Sequence, residues 1–316
     1  LKNGDTIKIV LLDNKGDKVE TATATTRLIS SDKVVAILGA LTSTNTAQAI
    51  AIADKKEIPV IASVATNDQL TAKREFANRV CFTDSFQGEV VANYAKAQAY
   101  KTAVVVVDQS QVYSLGLAKA FETAFKKNGG EIVKTIKITS GDKDFKAVVS
   151  QIKETNPDFM FLPLYHPEAS MIARQSKQLG LEKPMFSGDG VANQTFIDLG
   201  GDAVNGYMFT DFFDYTNPPS QKSADFVAYH EKETGKAEMN SFTALGADTY
   251  NILIDAMNRC EDPTNSVCIN EQIKKTTDFD GVSGKITINK EGNATRSAVI
   301  KEVKDRKAAF KATVNP

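Results

Sequence analysis

Hydroxyl residues collect where short apolar runs give way to small side chains. The run Val34 to Leu38 opens into Gly39-Ala-Leu-Thr-Ser-Thr-Asn, and a helical pattern follows. A helix start offers free N–H groups and the positive end of the macrodipole, so it suits an anion such as a carboxylate, to which Ser43 would add a hydroxyl donor. A plainer use is equally open: Ser43 or Thr44 can serve as the helix cap. A second opening is Ile61-Ala-Ser-Val-Ala-Thr-Asn-Asp. Here the backbone of Val64 and Thr66 would meet both ends of a zwitterion, or would only make a turn.

Tyr113 and Tyr165 also follow strand-like runs, and Asp189 lies in Ser187-Gly-Asp-Gly, where no adjacent basic residue neutralises its carboxylate. The glycines allow close backbone approach, and an ammonium group would suit the acid. Taken one at a time, each tyrosine reads equally well as a half-buried packing residue, and Asp189 as an Asx-turn. Their joint placement at the carboxyl ends of strands, where open α/β sheets hold ligands, favours recognition of a small zwitterion.

The patterns of catalysis are missing. Neither Gly-x-Gly-x-x-Gly nor Gly-x-x-x-x-Gly-Lys-Ser/Thr occurs, which removes the main support for nucleotide binding. His166 and His230 have no Cys or second His at metal-ligand spacing, so no metal and no cofactor are expected. No Gly-x-Ser-x-Gly elbow is present, and the Ser150-x-x-Lys153 match falls on a helical pattern among charged neighbours. Cys81, in an apolar run, reads as a buried hydrophobe. Cys260 and Cys268 flank the loop Glu261 to Val267, where a local disulfide would suit an oxidising compartment. The chain is therefore expected not to be an enzyme.

These residues need a scaffold, and the apolar pattern supplies one. Short β-branched runs alternate with amphipathic stretches: Ile7 to Leu12, Val19 to Ser30, Val34 to Leu38, Thr46 to Lys55, Pro59 to Ala62. That rhythm predicts βαβ units and a parallel sheet. It restarts at Thr102 to Val107, followed by Leu117, Ala120, Phe121, Ala124 and Phe125 at helical spacing. Further strands are expected at Glu131 to Ile138, Asp158 to Leu162, Pro184 to Ser187 and Gly206 to Thr210, with helices starting near Asp144, Pro167 and Asn193. Ser220 to Glu233 and Asn240 to Arg259 read as consecutive helices. After Asp280 the pattern suits an antiparallel edge hairpin.

A length of 316 residues fits two domains of roughly 150 residues each. Lys and Arg total 38 against 39 for Asp and Glu, a net charge of −1 that offers no field for nucleic acid or anionic lipid. The longest apolar runs fall far short of the roughly 20 residues of a membrane span, so no nucleic-acid partner and no direct membrane insertion are expected.

Several segments together resemble the branched-chain amino acid binding proteins of ABC transporters. They are Ala65-Thr-Asn, Cys81-Phe-Thr-Asp-Ser-Phe-Gln-Gly-Glu, Tyr113 before Gly116-Leu-Ala, and Gly129-Gly-Glu-Ile with Thr139-Ser-Gly-Asp-Lys-Asp-Phe. Tyr165-His-Pro-Glu-Ala ahead of Arg174-Gln and Ser187-Gly-Asp-Gly complete the set, and order and spacing match over nearly the whole chain.

The resemblance implies an α/β fold of two doubly wound, Rossmann-like lobes joined by three crossovers, the type I periplasmic binding protein fold, whose hinge motion closes over ligand. It places the crossovers near Asp108, Phe212 and Phe279, so that residues 1–108 with 212–279 form one lobe and 109–211 with 280–316 the other. It implies a first βα unit that these residues lack, ahead of Leu1, and a removed signal peptide. It further implies a monomeric periplasmic receptor for a free L-amino acid, branched-chain or small aliphatic, that delivers its ligand to a membrane permease. A ligand-sensing regulatory protein would share the same clamp. Carried over, the ligand carboxylate would be held by Ser43, Val64 and Thr66, the ammonium by Thr66, Tyr165 and Asp189, and Tyr113 would close the pocket. Two positions depart from the family pattern: its second tyrosine is His166 here, and the far-lobe acid is Asp189 where some members carry Glu. Glu291-Gly-Asn-Ala-Thr resembles an extended bacterial N-glycosylation acceptor around Asn293, but a hairpin turn explains it better.

Overall fold

A computed structural model describes residues 1–316. The chain forms two compact units, residues Leu1–Thr83 with Pro218–Ser297 and residues Asp84–Asn217 with Ala298–Pro316. Thr83, Asn217 and Ser297 are thus the last residues before each of the three passages between units.

The first unit begins with α1 (Lys18–Ser30), β1 (Ile37–Leu38), α2 (Ser43–Ala53), β2 (Val60–Ala62) and β3 (Ala77–Arg79). Asp17 starts α1 by accepting the N–H groups of Val19 and Glu20, the usual service of an N-cap carboxylate. The strands form a parallel sheet in the order β1-β2-β3. Ile37, Ile50, Ala53, Val60, Ala62 and Leu70 close its core, with Leu28 and Ile29 of α1 packed against it.

Ile7 to Leu12 does not form the strand its apolar pattern suggests. It joins no ladder, and Ile9 and Leu11 are 70% and 88% exposed. β-propensity reflects fit to a pleated, half-buried surface, and with no neighbour to pair with it the segment has no such surface.

The second unit opens with α3 (Asp84–Ala97) and alternates β4 (Thr102–Asp108), α4 (Val112–Lys127), β5 (Glu131–Ile138), α5 (Lys146–Thr155), β6 (Phe159–Phe161), α6 (His166–Gln178), β7 (Met185–Ser187), α7 (Gln194–Gly200) and β8 (Met208–Asp211). Ala103 to Val106 of β4 are each 0% exposed, the continuous burial of a parallel strand covered on both faces. Phe121 and Phe125 of α4 pack onto Phe159 and Phe161 of β6, with the Phe121 and Phe161 rings 4.2 Å apart. Gly88 of α3 permits close contact with α4, since a Cβ there would lie 2.6 Å from the Phe121 backbone nitrogen.

The chain then returns to the first unit through α8 (Gln221–Thr234), α9 (Ser241–Asn258) and α10 (Ser266–Ile273), followed by β9 (Phe279–Gly281), β10 (Gly284–Ile288) and β11 (Ala294–Thr295). Buried Asp248 of α9 accepts the N–H groups of Val282 at 2.6 Å and Ser283 at 2.9 Å, which fastens the antiparallel β9-β10 turn to the helix. Cys260 and Cys268 are joined as a disulfide, and Cys81 is buried and free. Glu291 to Thr295 is a turn entering β11. Thr71 donates its hydroxyl to the Asn293 side-chain oxygen at 2.9 Å, and Gly292, at φ +78°, sits where a Cβ would collide with the Ala77 carbonyl.

The last passage delivers β12 (Ala298–Lys304) and β13 (Lys307–Val314), giving a sheet ordered β13-β12-β8-β7-β6-β4-β5 in which β12 and β13 run antiparallel. Three boundaries read from the resemblance therefore move. The crossover expected near Asp108 lies at Thr83, because β4 pairs with β5 and β6 inside the second sheet. The one near Phe212 shifts to Asn217. The one near Phe279 shifts to Ser297, because the hairpin following Phe279 stays with α9 in the first unit.

Lys301 of β12 secures the segment that leaves β8. Its ammonium lies 2.8 Å from Asp211, 3.2 Å from Asp214 and 2.8 Å from the Phe213 carbonyl, with all three charged side chains buried. Burial opposes the lysine charge, but the two carboxylates outweigh it and hold the pKa above its ordinary value. Lys301→Met would leave two buried carboxylates without a cation, and urea unfolding should show a loss of about 3–5 kcal/mol. A loss below about 1 kcal/mol would mean that the triad contributes little to stability.

Candidate functional site

The candidate residues form two clusters, one in each unit, both at the carboxyl ends of parallel strands. In the first unit, Ser43 and Thr66 follow β1 and β2. Thr42, not Ser43 or Thr44, caps α2, since its hydroxyl accepts the Asn45 N–H at 3.3 Å. Ser43 is therefore released from capping; its buried hydroxyl takes only a long 3.4 Å bond from the Asn67 N–H.

Val64 and Thr66 sit in the loop after β2, buried to 5% and 0% exposure. The Thr66 hydroxyl is sealed from solvent with no hydrogen-bond partner in the protein. Leaving a buried hydroxyl unpaired costs about 1–3 kcal/mol, so such a group is retained against a stability gradient. Arg79 of β3, itself 0% exposed, donates to the Ala65 carbonyl at 3.1 Å and the Asn67 carbonyl at 2.7 Å. This buried guanidinium braces the loop on either side of Thr66. Its place within an apolar run hid the role in the sequence.

In the second unit, Tyr113, Tyr165 and Asp189 come together. Tyr113, in the first turn of α4, stacks on Tyr165 at the start of α6, with ring centroids 5.0 Å apart. The Tyr113 hydroxyl accepts the Gly190 N–H at 3.0 Å. Burial pushes its phenol well above the ordinary value, with the nearby Asp189 charge adding to the effect. His166 begins α6, half-buried, and desolvation lowers its pKa.

Asp189 is 5% exposed. Burial raises its carboxyl to about 7, against the lowering effect of hydrogen bonds from Gln87, from its own backbone N–H and from Tyr113; the charge of Asp211 raises it further. Gln87 of α3 donates its amide to one carboxylate oxygen at 2.9 Å, and the Asp189 N–H donates back to the Gln87 oxygen at 2.8 Å. No lysine or arginine contributes to the balance. The flanking glycines are needed for space. A Cβ at Gly188 would lie 2.5 Å from the Tyr113 hydroxyl and 2.7 Å from the Gln87 oxygen, and one at Gly190 would lie 2.7 Å from the Leu164 carbonyl.

The first cluster offers hydroxyl and backbone groups; the second offers an aromatic wall and an acid with no fixed counterion. No group of His, Cys, Asp and Glu is arranged to hold a metal. No helix is long and apolar enough to cross a membrane.

Several known proteins resemble this chain. A family model described as periplasmic binding protein matches residues 2–308. The Leu/Ile/Val-binding protein of Escherichia coli K12 is 28% identical over 293 residues, spanning 92% of this chain and 77% of the relative. Among solved structures, a leucine binding protein from Thermotoga maritima superposes with a TM-score of 0.96 at 37% identity, covering 99% of this chain and 89% of that one. A branched-chain amino acid transporter substrate binding protein from Streptococcus pneumoniae, in complex with isoleucine, superposes with a TM-score of 0.91 at 31% identity, with the same coverage. The chain belongs to the periplasmic binding protein family, with the type I fold, in its branched-chain amino acid branch.

Proposed function

We propose that this protein captures a free L-amino acid with a branched or small aliphatic side chain and hands it to the membrane permease of an ABC importer. The observation that carries the reading is the buried Asp189 carboxylate, which has no basic partner of its own and lies beside Tyr113 and Tyr165. An amino acid brings a compact cation to such a group and a carboxylate to hydroxyl and N–H donors. In this reading Ser43, Val64 and Thr66 hold the ligand carboxylate. Thr66, Tyr165 and Asp189 hold the ammonium, and Tyr113 closes the pocket.

The names of the relatives support this ligand class, and the disulfide supports an oxidising compartment such as the periplasm. A monomer suffices, because each candidate group comes from the one chain. The chain's own residues bind and orient; nothing in either cluster pairs a nucleophile with a base.

A thermal-shift screen of the twenty amino acids should single out leucine, isoleucine or valine, with stabilisation of about 2.7 kcal/mol at a hundredfold excess over Kd. Asp189→Ala should weaken that binding by about 2–5 kcal/mol in calorimetry, because the ammonium loses its counterion. Affinity unchanged within about twofold would remove Asp189 from the site. Thr66→Val should act in opposite directions on two measurements. Deleting an unpaired hydroxyl should leave the free protein as stable or about 1 kcal/mol more so, while binding weakens by a similar amount.

A further inference from the structure

Gln87 stood outside every reading of individual residues, yet its surroundings are those of a functional group. It lies in the first turns of α3 and is 0% exposed. Its side-chain oxygen accepts the Asp189 N–H at 2.8 Å and the Thr210 hydroxyl, and its amide nitrogen donates to the Asp189 carboxylate at 2.9 Å. Because a backbone N–H can only donate, the Gln87 oxygen must face it. The –NH2 group is thereby forced toward the carboxylate. An amide whose two ends are fixed in this way is a directional clamp.

We propose that Gln87 is a positioning residue of the amino-acid site: its amide locks the Asp189 carboxylate by one oxygen and so orients it toward an incoming ammonium. This rests on the reading of Asp189 as the ammonium partner. Thr210 of β8 orients the glutamine, and Gly188 supplies the space, since a Cβ there would press on the Gln87 oxygen. A neutral donor is the right choice at this place. A lysine or arginine would give Asp189 a permanent counterion and compete with the ligand, whereas an amide favours the ionised acid without occupying its charge.

The clamp has a consequence for pH. The ionisable groups around Asp189 are Asp211 of β8, whose charge is shared with Lys301, and the Tyr113 phenol of α4; Asp84 of α3 and Tyr165 of α6 act on Tyr113 in turn. Half-buried His166 adjoins Tyr165 in sequence, and burial favours its neutral form. The tyrosine stays protonated over the working range, so Asp189 is the acid of this cluster whose protonation competes with an ammonium. Binding should be full above the Asp189 pKa and fall by up to about tenfold per pH unit below it. Removing the Gln87 donor should raise that midpoint, because the same hydrogen bond lowers it now.

The test is calorimetric binding of leucine, isoleucine and valine from pH 5 to 9 in the full chain, alongside carbon NMR titration of the Asp189 carboxyl in the free protein. Gln87→Glu keeps an oxygen for Asp189 and Thr210 but replaces the donor with an acid, and Gln87→Met removes the polar group at similar size. The positioning role requires the midpoint to rise by about one pH unit or more in Gln87→Glu and to rise in Gln87→Met, in both measurements. A uniform loss of affinity at every pH, or an Asp189 titration that does not move, would overturn it. If none of the three amino acids binds the unmodified protein while the Asp189 titration still moves in the variants, the clamp stands and the amino-acid reading fails.

Discussion

A carboxylate placed where water hardly reaches it governs the second unit. Without a cation, the charged form of Asp189 is disfavoured, and burial accordingly lifts its proton affinity by some three orders of magnitude to a pKa of about 7. The surroundings then make sense as responses to that one group. Gln87 offers a neutral donor, Tyr113 supplies a wall that also takes the Gly190 N–H, and the glycines on either side let both side chains press against the loop. Lys301 pairs with Asp211 and Asp214, so that the Asp211 charge does not add fully to the burden. An acid maintained at this expense is suited to a visitor that carries the missing charge.

The first unit solves a milder problem with groups that need no ionisation. Capping by Thr42 frees the Ser43 hydroxyl, and the Arg79 guanidinium holds the carbonyls on both sides of Thr66. Parallel strands end where helices begin, so in both units the loops that carry these residues gather at the carboxyl ends of the sheet. In each unit the architecture therefore fixes where candidate ligand groups lie before any particular side chain is chosen.

How much of this was legible in the sequence depended on the range of the interaction involved. Strands such as Thr102–Asp108 and Glu131–Ile138, and helices such as Gln221–Thr234, announce themselves through apolar runs and residue spacing, which are local. The disulfide between Cys260 and Cys268 was readable from the two cysteines flanking a short loop. Ile7 to Leu12 misled because a strand exists only beside another strand, and composition says nothing of the neighbour. The lobe boundaries misled for a related reason: whether β4 joins one sheet or the other is decided by pairing with β5 and β6. Gln87, within Asp84-Ser-Phe-Gln-Gly-Glu, and Arg79, beside an apolar run, gave no sign of their individual roles because a polar residue has meaning only once its partners, 102 residues away for Gln87 and Asp189, are brought alongside. The β12-β13 pair, after Ser297, went unread altogether.

The order in which the chain visits its two units has a cost in time. Lys301 and its partner Asp211 are separated by 90 positions, and the strand that covers the edge of β8 is made well after β8 itself. The first unit is not complete before Ser297 nor the second before β13, so a nascent chain meets a long interval in which half-built sheets expose unpaired edges. A protein assembled this way keeps its sheets incomplete for longer than one whose two domains follow each other in line.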